Sequence, residues 1–228
     1  MPTKSRTPPR REESLSRDRI IETAVELLDS TGEGGLTFRA LSERLATGPG
    51  AIYWHIANKG DLVVAACDAV IAAAMQAQDD TLHGLAAGMF DAMDEHPWIG
   101  SALLQAAGQL PMVRLFERIG QHVQALGVPP TGQWAAASAL LHYILGVGGQ
   151  NAANRLSAQQ REIDRDGFLG EVALAWSALD AAEYPFTRSM AGQLQQHDDR
   201  ADFLAGIDLI LGGIRAMSGT TARKRSAR

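Results

Sequence analysis

Residues 36–60 read LTFRALSERLATGPGAIYWHIANKG: two short apolar-patterned segments either side of Ala46-Thr47-Gly48, ending in the aromatic and basic cluster Tyr53, Trp54, His55 and Lys59. Two short helices joined by a tight turn can set the N-terminal part of the second in a DNA major groove, while the first helix and its flanks hold phosphates. His55, beside Trp54 and four residues before Lys59, reads as a phosphate donor in that setting. Tyr53 and Trp54 have a second reading as core aromatics of a small domain, and Tyr53 can serve both.

A second set of useful side chains lies downstream. Met89, Phe90, Met93, Trp98, Met112, Phe116, Trp134, His142 and Trp176 are bulky and soft, which suits contact with an apolar small molecule. Each is equally at home in the core of a helical protein. Catalysis has no comparable support, because the sequence holds no P-loop, GxSxG, HExxH or glycine-rich dinucleotide turn, and no His/Glu set suited to a metal. No catalytic residue, metal or cofactor is therefore expected, and the chain is read as a binding protein rather than an enzyme. A helical adaptor without specific DNA binding is the alternative.

Apolar residues recur at three- and four-residue spacing through nearly every ordered stretch, and no strand-like alternation persists. The fold class is accordingly all-α: an N-terminal three-helix helix-turn-helix domain and a larger C-terminal helical domain for ligand binding and dimerisation. The spacing predicts a first helix over 15–29, ended by Gly32, Gly34 and Gly35, and a second opening at Leu36-Thr37. Pro49 begins a third that reaches Ile56, and Asn58 with Asp61 caps a fourth over 61–78. Further helices are predicted over 82–93, 98–107, 111–126 and 131–156, the last capped by Thr131. A loop over 157–166, a ninth helix over 168–179 and a final one over 199–217 follow. In that last helix Phe203, Leu204, Ile207, Ile210, Leu211 and Ile214 are too many for one narrow stripe. Part of its surface, with the helix near 131–156, is expected to pack against a second copy in a homodimer. The domains are then 15–60 for DNA and 61–218 for ligand and dimer, between a disordered basic arm over 1–14 and a disordered basic tail over 219–228.

With 228 residues, 46% hydrophobic and 21% charged, the chain can bury a large core, which excludes global disorder. A net charge of −5 excludes a generally basic nucleic-acid coat, but the charge is unevenly placed. Residues 1–60 carry nine Lys/Arg against eight Asp/Glu and residues 61–228 twelve against eighteen, so the acidity belongs to the C-terminal part. Lys4, Arg6, Arg10 and Arg11 in the arm suit phosphate or minor-groove contact, or simply solubilise it. The single cysteine, Cys67, rules out an intrachain disulfide. The N-terminus has no signal-peptide core and no later run of about 18 apolar residues spans a membrane, so a cytoplasmic location without membrane contact is expected.

Residues 36–63, LTFRALSERLATGPGAIYWHIANKGDLV, resemble the DNA-binding signature of the TetR family in Leu36-Thr37, the Tyr53-Trp54-His55 triplet and the Asn58-Lys59 pair. LHYILG at 141–146 and FLAGIDLILGGI at 203–214 resemble its tetracycline-repressor branch, so the likeness covers most of the chain. The resemblance implies a repressor that leaves double-stranded operator DNA when a small, largely apolar or aromatic effector binds. It places Thr37, Tyr53, Trp54, His55 and Lys59 at the phosphate backbone and Arg39 at a base edge. A bidentate Arg39–guanine contact is worth about 1–3 kcal/mol of discrimination. The chain departs from the branch at Gly48-Pro49-Gly50-Ala51, where relatives often carry polar side chains. Readout there falls to Pro49 and Ala51 on thymine methyls, to close backbone approach and to DNA shape.

In the C-terminal part, His142 matches a pocket histidine of the branch, and Gln150 is expected on the same side. With Met89, Met93, Trp98, Met112, Phe116 and Trp176 they make the expected effector lining; a satisfied core histidine is the other reading of His142. Met75 stands where the branch has a ligand histidine, so tetracycline itself is not the expected effector. The implied coupling is reciprocal: effector shifts helices five to seven, the fourth swings, and the paired heads lose their groove spacing.

Overall fold

The structure, a computed structural model, describes residues 15–77, 79–105, 108–161, 163–194 and 196–226. The expected arm over 1–14, with Lys4, Arg6, Arg10 and Arg11, lies outside them. Among the described residues the chain forms eleven α-helices and no strand, and it divides into two compact units, Met1–Val63 and Val64–Arg228.

In the first unit, α1 (Arg17–Gly35) starts where Ser16 Oγ accepts the Arg19 amide at 3.2 Å, and it buries Ile20, Ile21, Ala24, Leu27 and Leu28. It outruns the predicted end because Gly32, at φ 64° and ψ −175°, kinks the helix instead of stopping it, and a last turn runs on to Gly35. α2 (Phe38–Arg44) is capped by Thr37, whose hydroxyl accepts the Ala40 amide at 3.1 Å. A turn with Ala46 at φ 49° leads to α3 (Pro49–Tyr53), where Pro49 occupies the first turn and needs no amide hydrogen. The third helix is shorter than predicted, because Trp54 and His55 already form a turn. Leu36, Leu41, Leu45, Ile52 and Ile56 close this small core, each burial contributing about 1.5–3 kcal/mol of transfer free energy. Asn58 Oδ1 accepts the Asp61 amide at 2.9 Å, and α4 (Lys59–Ala77) follows.

In the second unit, α5 (Leu82–Glu95) starts at Thr81, whose hydroxyl accepts the Gly84 amide at 2.9 Å. After it come α6 (Ile99–Gln105), α7 (Leu110–Ala125), α8 (Pro130–Gln160), α9 (Arg165–Ser177), α10 (Pro185–Met190) with a short 3₁₀ turn at Ala191–Gln193, and α11 (Asp199–Ser226). The helix α8 is the axis of this unit: α5, α6, α7 and α11 all pack on it. The main departures from the predicted elements lie in α8 to α11. α8 starts a residue early, which puts Thr131 inside its first turn rather than at the cap, and it absorbs part of the predicted loop because Ser157-Ala158-Gln159-Gln160 contains no breaker. α9 is capped by Asp164, whose carboxylate accepts the Gly167 amide at 2.8 Å. α10 was not predicted, although Pro185 in its first turn is a start signal. α11 runs on through Ser226, into the segment expected as a tail, where Ala222-Arg223-Lys224-Arg225 are good helix formers.

One joint holds α5, α8 and α11 together. Phe203 stacks on Tyr143 (5.5 Å between centroids, 11°) and meets Phe90 at 5.0 Å, while the Tyr143 hydroxyl donates to the Phe203 carbonyl at 3.0 Å. Burial, and then the Asp202 charge, push the Tyr143 phenol up, which keeps it a donor. A Cβ at Gly206 would lie 1.8 Å from Tyr143 Oη and 2.4 Å from its Cζ, so close packing against the ring demands glycine there, whereas one at Gly148 would lie 2.5 Å from Sδ near the flexible end of Met93.

His122 on α7 is largely buried with no partner at Nε2, and Asp80 stands 4.0 Å away. Burial, then the Arg118 charge, hold its imidazole below the ordinary value against a smaller opposite pull from Asp80. The unfolded chain therefore binds this proton more readily, and the stability that neutral His122 permits is present above about pH 6.5 and lost as pH falls below it. Thermal melting is expected to drop more steeply between pH 7.5 and 5.5 in the native chain than in His122→Gln. Equal slopes would remove His122 as the cause.

Candidate nucleic-acid interface and ligand cavity

The ten expected DNA residues all belong to the first unit and lie on α2 with its cap, α3 with its cap, the turn after it and the first residue of α4. Thr37 spends a lone pair on its cap and retains its O–H as a donor. Arg39 is almost fully exposed, and its Nε donates to Glu43 Oε1 at 2.9 Å one turn on. Gly48, Pro49 and Gly50 are exposed and Ala51 half-buried at the start of α3. Tyr53 stacks on Phe38 (4.4 Å, 11°) yet remains 55% exposed, so it serves packing and surface together. Trp54 is 90% exposed, which removes its reading as a core aromatic. His55 and Lys59 are exposed, and the Lys59 ammonium donates to the Glu33 carbonyl.

The eight expected effector contacts differ widely in burial. Met89, Met93 and Trp98 are buried as core, and Met93 Sδ fills the space over Gly148. Met112, Phe116 and Trp176 are half-buried, and Phe116 meets the exposed Trp134 edge-on at 5.5 Å. His142 and Gln150 are a correction to the expected lining: both are exposed on α8. The buried stripe of α8 runs through Ala137, Leu140, Leu141, Ile144 and Ala152, and 142, 146 and 150 fall on the opposite side. Gln150 does share a side with His142, but that side points outward and Gln150 bonds to Asn154 at 2.9 Å.

A cavity of about 750 Å³ opens elsewhere in the second unit, between α5, α8, α9 and the start of α11, and none of the eight lines it. Its apolar wall is Phe90, Ala158, Ile163, Phe168 and Leu169. Three arginine–aspartate pairs rim it: Arg200–Asp91 (2.7 and 3.0 Å, bidentate), Arg155–Asp94 (2.6 Å) and Arg165–Asp199 (2.8 Å). His197 Nε2 lies 2.7 Å from Asp199, and Asn151, also in the wall, has a buried Nδ2 without a partner. Burial alone would raise the Asp199 carboxyl, but the Arg165 bond and charge, with His197, leave it below its ordinary value.

A family model described as bacterial regulatory proteins, tetR family, matches residues 20–66, and one described as tetracyclin repressor-like, C-terminal domain, matches residues 76–218. The chain belongs to the TetR family. It is 53% identical to the transcriptional regulator SCO7222, a TetR from Streptomyces coelicolor, whose solved structure it matches with a TM-score of 0.79 over 90% of this chain and 99% of that one. It is 28% identical to an HTH-type transcriptional regulator of Saccharopolyspora erythraea, over 90% of this chain and 86% of the relative. The TetR family protein ActR of Streptomyces coelicolor, solved in complex with actinorhodin, is 20% identical with a TM-score of 0.70 over 91% of this chain and 98% of that one, a likeness of fold.

As a TetR-family transcriptional regulator, the chain carries the family's helix-turn-helix region within residues 20–66, which include α2 and α3. Among the described residues no helix is long and apolar enough to cross a membrane, and no three His, Cys, Asp or Glu side chains stand together as metal ligands. Sequence reasoning missed the rim of the cavity because its partners are remote: Asp91 and Arg200 are 109 positions apart. The available signal was local: Asp91 and Asp94 each follow a buried α5 residue, Phe90 and Met93, so they border its core face.

Proposed function

We propose that the chain is a homodimeric repressor that holds operator DNA through α2, α3 and the following turn and releases it when a small molecule fills the second unit. The observation that carries the DNA part is the surface of α3 and its flank. A Cβ at Gly48 or Gly50 would meet nothing within 4 Å, so internal packing does not require glycine there. Bare backbone at that tip suits close approach to a groove, with Pro49 and Ala51 against thymine methyls. Around it, Thr37, Tyr53, Trp54, His55 and Lys59 present donors for phosphates, and Arg39 presents its fork to a base edge.

Exposed Leu209 on α11 (79%), beside Gly212 and Gly213, and the outward side of α8 with His142, Gly146 and Gln150 support a dimer through 131–156 and 199–217. Two heads then read half-sites roughly 34 Å apart. The regulator acts where bacterial DNA lies, in the cytoplasm. Ligand release is supported by the family and by ActR, whose structure holds actinorhodin.

A mobility-shift titration with DNA from upstream of the chain's own gene and its neighbours tests the reading. Specific retardation that weakens steeply with salt is expected, because phosphate contacts release counterions. No specific complex at low salt would favour an adaptor instead.

A further inference from the structure

We propose that the cavity between α5, α8, α9 and the start of α11 is the effector site, and that its ligand is a drug-sized amphiphilic amine. Such a ligand has an apolar or aromatic body and an ammonium. The inference rests on the reading that this domain senses a small molecule, and it replaces the expected site around His142 with one that the chain builds.

Size and wall fix the body. A volume of about 750 Å³ lies in the range of pockets that hold such molecules, and Phe90 and Phe168 give it aromatic surface.

Charge fixes the ammonium. The described lining carries five carboxylates against three guanidiniums and one imidazole. Each guanidinium is already closed on an aspartate, which leaves Asp164 and Asp198 in excess. Both cap helices: Asp164 Oδ1 takes the Gly167 amide at 2.8 Å, and Asp198 Oδ1 takes those of Arg200 (3.0 Å) and Ala201 (2.9 Å). The helix dipoles offset about half a charge each, so roughly one negative charge remains for a cation to neutralise. An anionic ligand would instead have to separate an arginine from its aspartate.

The site is placed to report its occupancy. The rim pairs tie α5 to α11 (Asp91–Arg200), α5 to α8 (Asp94–Arg155) and α9 to α11 (Arg165–Asp199). A body wedged among them acts on the joints between four helices at once.

Titration calorimetry on the full chain without DNA tests the assignment with two probes. Propranolol joins a naphthyl body to a hydroxyl and an ammonium; naproxen joins a naphthyl body to a carboxylate. Propranolol is expected to bind at least about tenfold more tightly, the effect of one favourable charge contact. In the double variant Asp164→Asn, Asp198→Asn, asparagine keeps both caps and removes both charges, so this preference should vanish in a chain that still melts cooperatively. Naproxen binding as tightly as propranolol, no saturable binding of either at millimolar concentration, or a double variant that behaves like the native chain would each overturn the assignment. DNA is absent, so such a failure leaves the regulator reading intact, and loss of operator retardation with intact propranolol binding would sink only the latter.

Discussion

Arg39→Ala is expected to weaken operator binding by about 1–3 kcal/mol per head, roughly fivefold to 150-fold, and to relax selectivity at one base pair in each half-site. The free chain shows why the side chain is ready for that work. Its partner Glu43 sits one turn away and both are largely exposed, and such a pair is worth only about 0.3–0.5 kcal/mol. A guanine edge therefore takes the guanidinium from Glu43 at little expense, while Glu43 holds it extended before contact. Fluorescence anisotropy at fixed salt, with native and base-substituted operators, separates this from Lys59→Ala. Removing Lys59 should lower affinity for all sequences alike and reduce the salt slope by about one per head. If Arg39→Ala left both affinity and base preference unchanged, Arg39 would be a surface arginine and no more.

Phe203→Ala is expected to reduce unfolding free energy by about 3–5 kcal/mol, read from urea unfolding at fixed protein concentration. Phe203 is 1% exposed, and its ring lies between those of Tyr143 and Phe90. Truncation leaves a void between three helices that the stiff neighbouring rings cannot fill. Marginal domains hold only about 5–15 kcal/mol in total, so the variant should melt far earlier than the native chain. A loss below about 1 kcal/mol would mean that α11 does not lock α5 to α8.

The all-α architecture was legible because amphipathic spacing survives in one dimension: Ile20, Ala24, Leu27 and Leu28 in α1, or Leu82, Leu85, Met89 and Met93 in α5, repeat at helical intervals. Caps were legible where a side chain bonds within three residues, as at Thr37 and Asn58. Thr131 misled because a capping residue type says nothing about where the helix path begins. The expected DNA residues could be grouped from sequence because they lie in one short contiguous segment. The cavity residues could not, since Asp91, Arg155, Arg165 and Arg200 acquire meaning only from partners on other helices. His142 shows the converse: a motif match named the residue, and the register of α8 turned it outward.

The missing side chain at position 206 has an effect beyond its own helix. Because Tyr143 Oη occupies the place where a Cβ would stand, and Cζ would still be only 2.4 Å away without the hydroxyl, positions 143 and 206 share a single parcel of space. Across descendants of this chain the two must drift as a couple: growth at 206 becomes tolerable only after the ring at 143 has given way to something smaller.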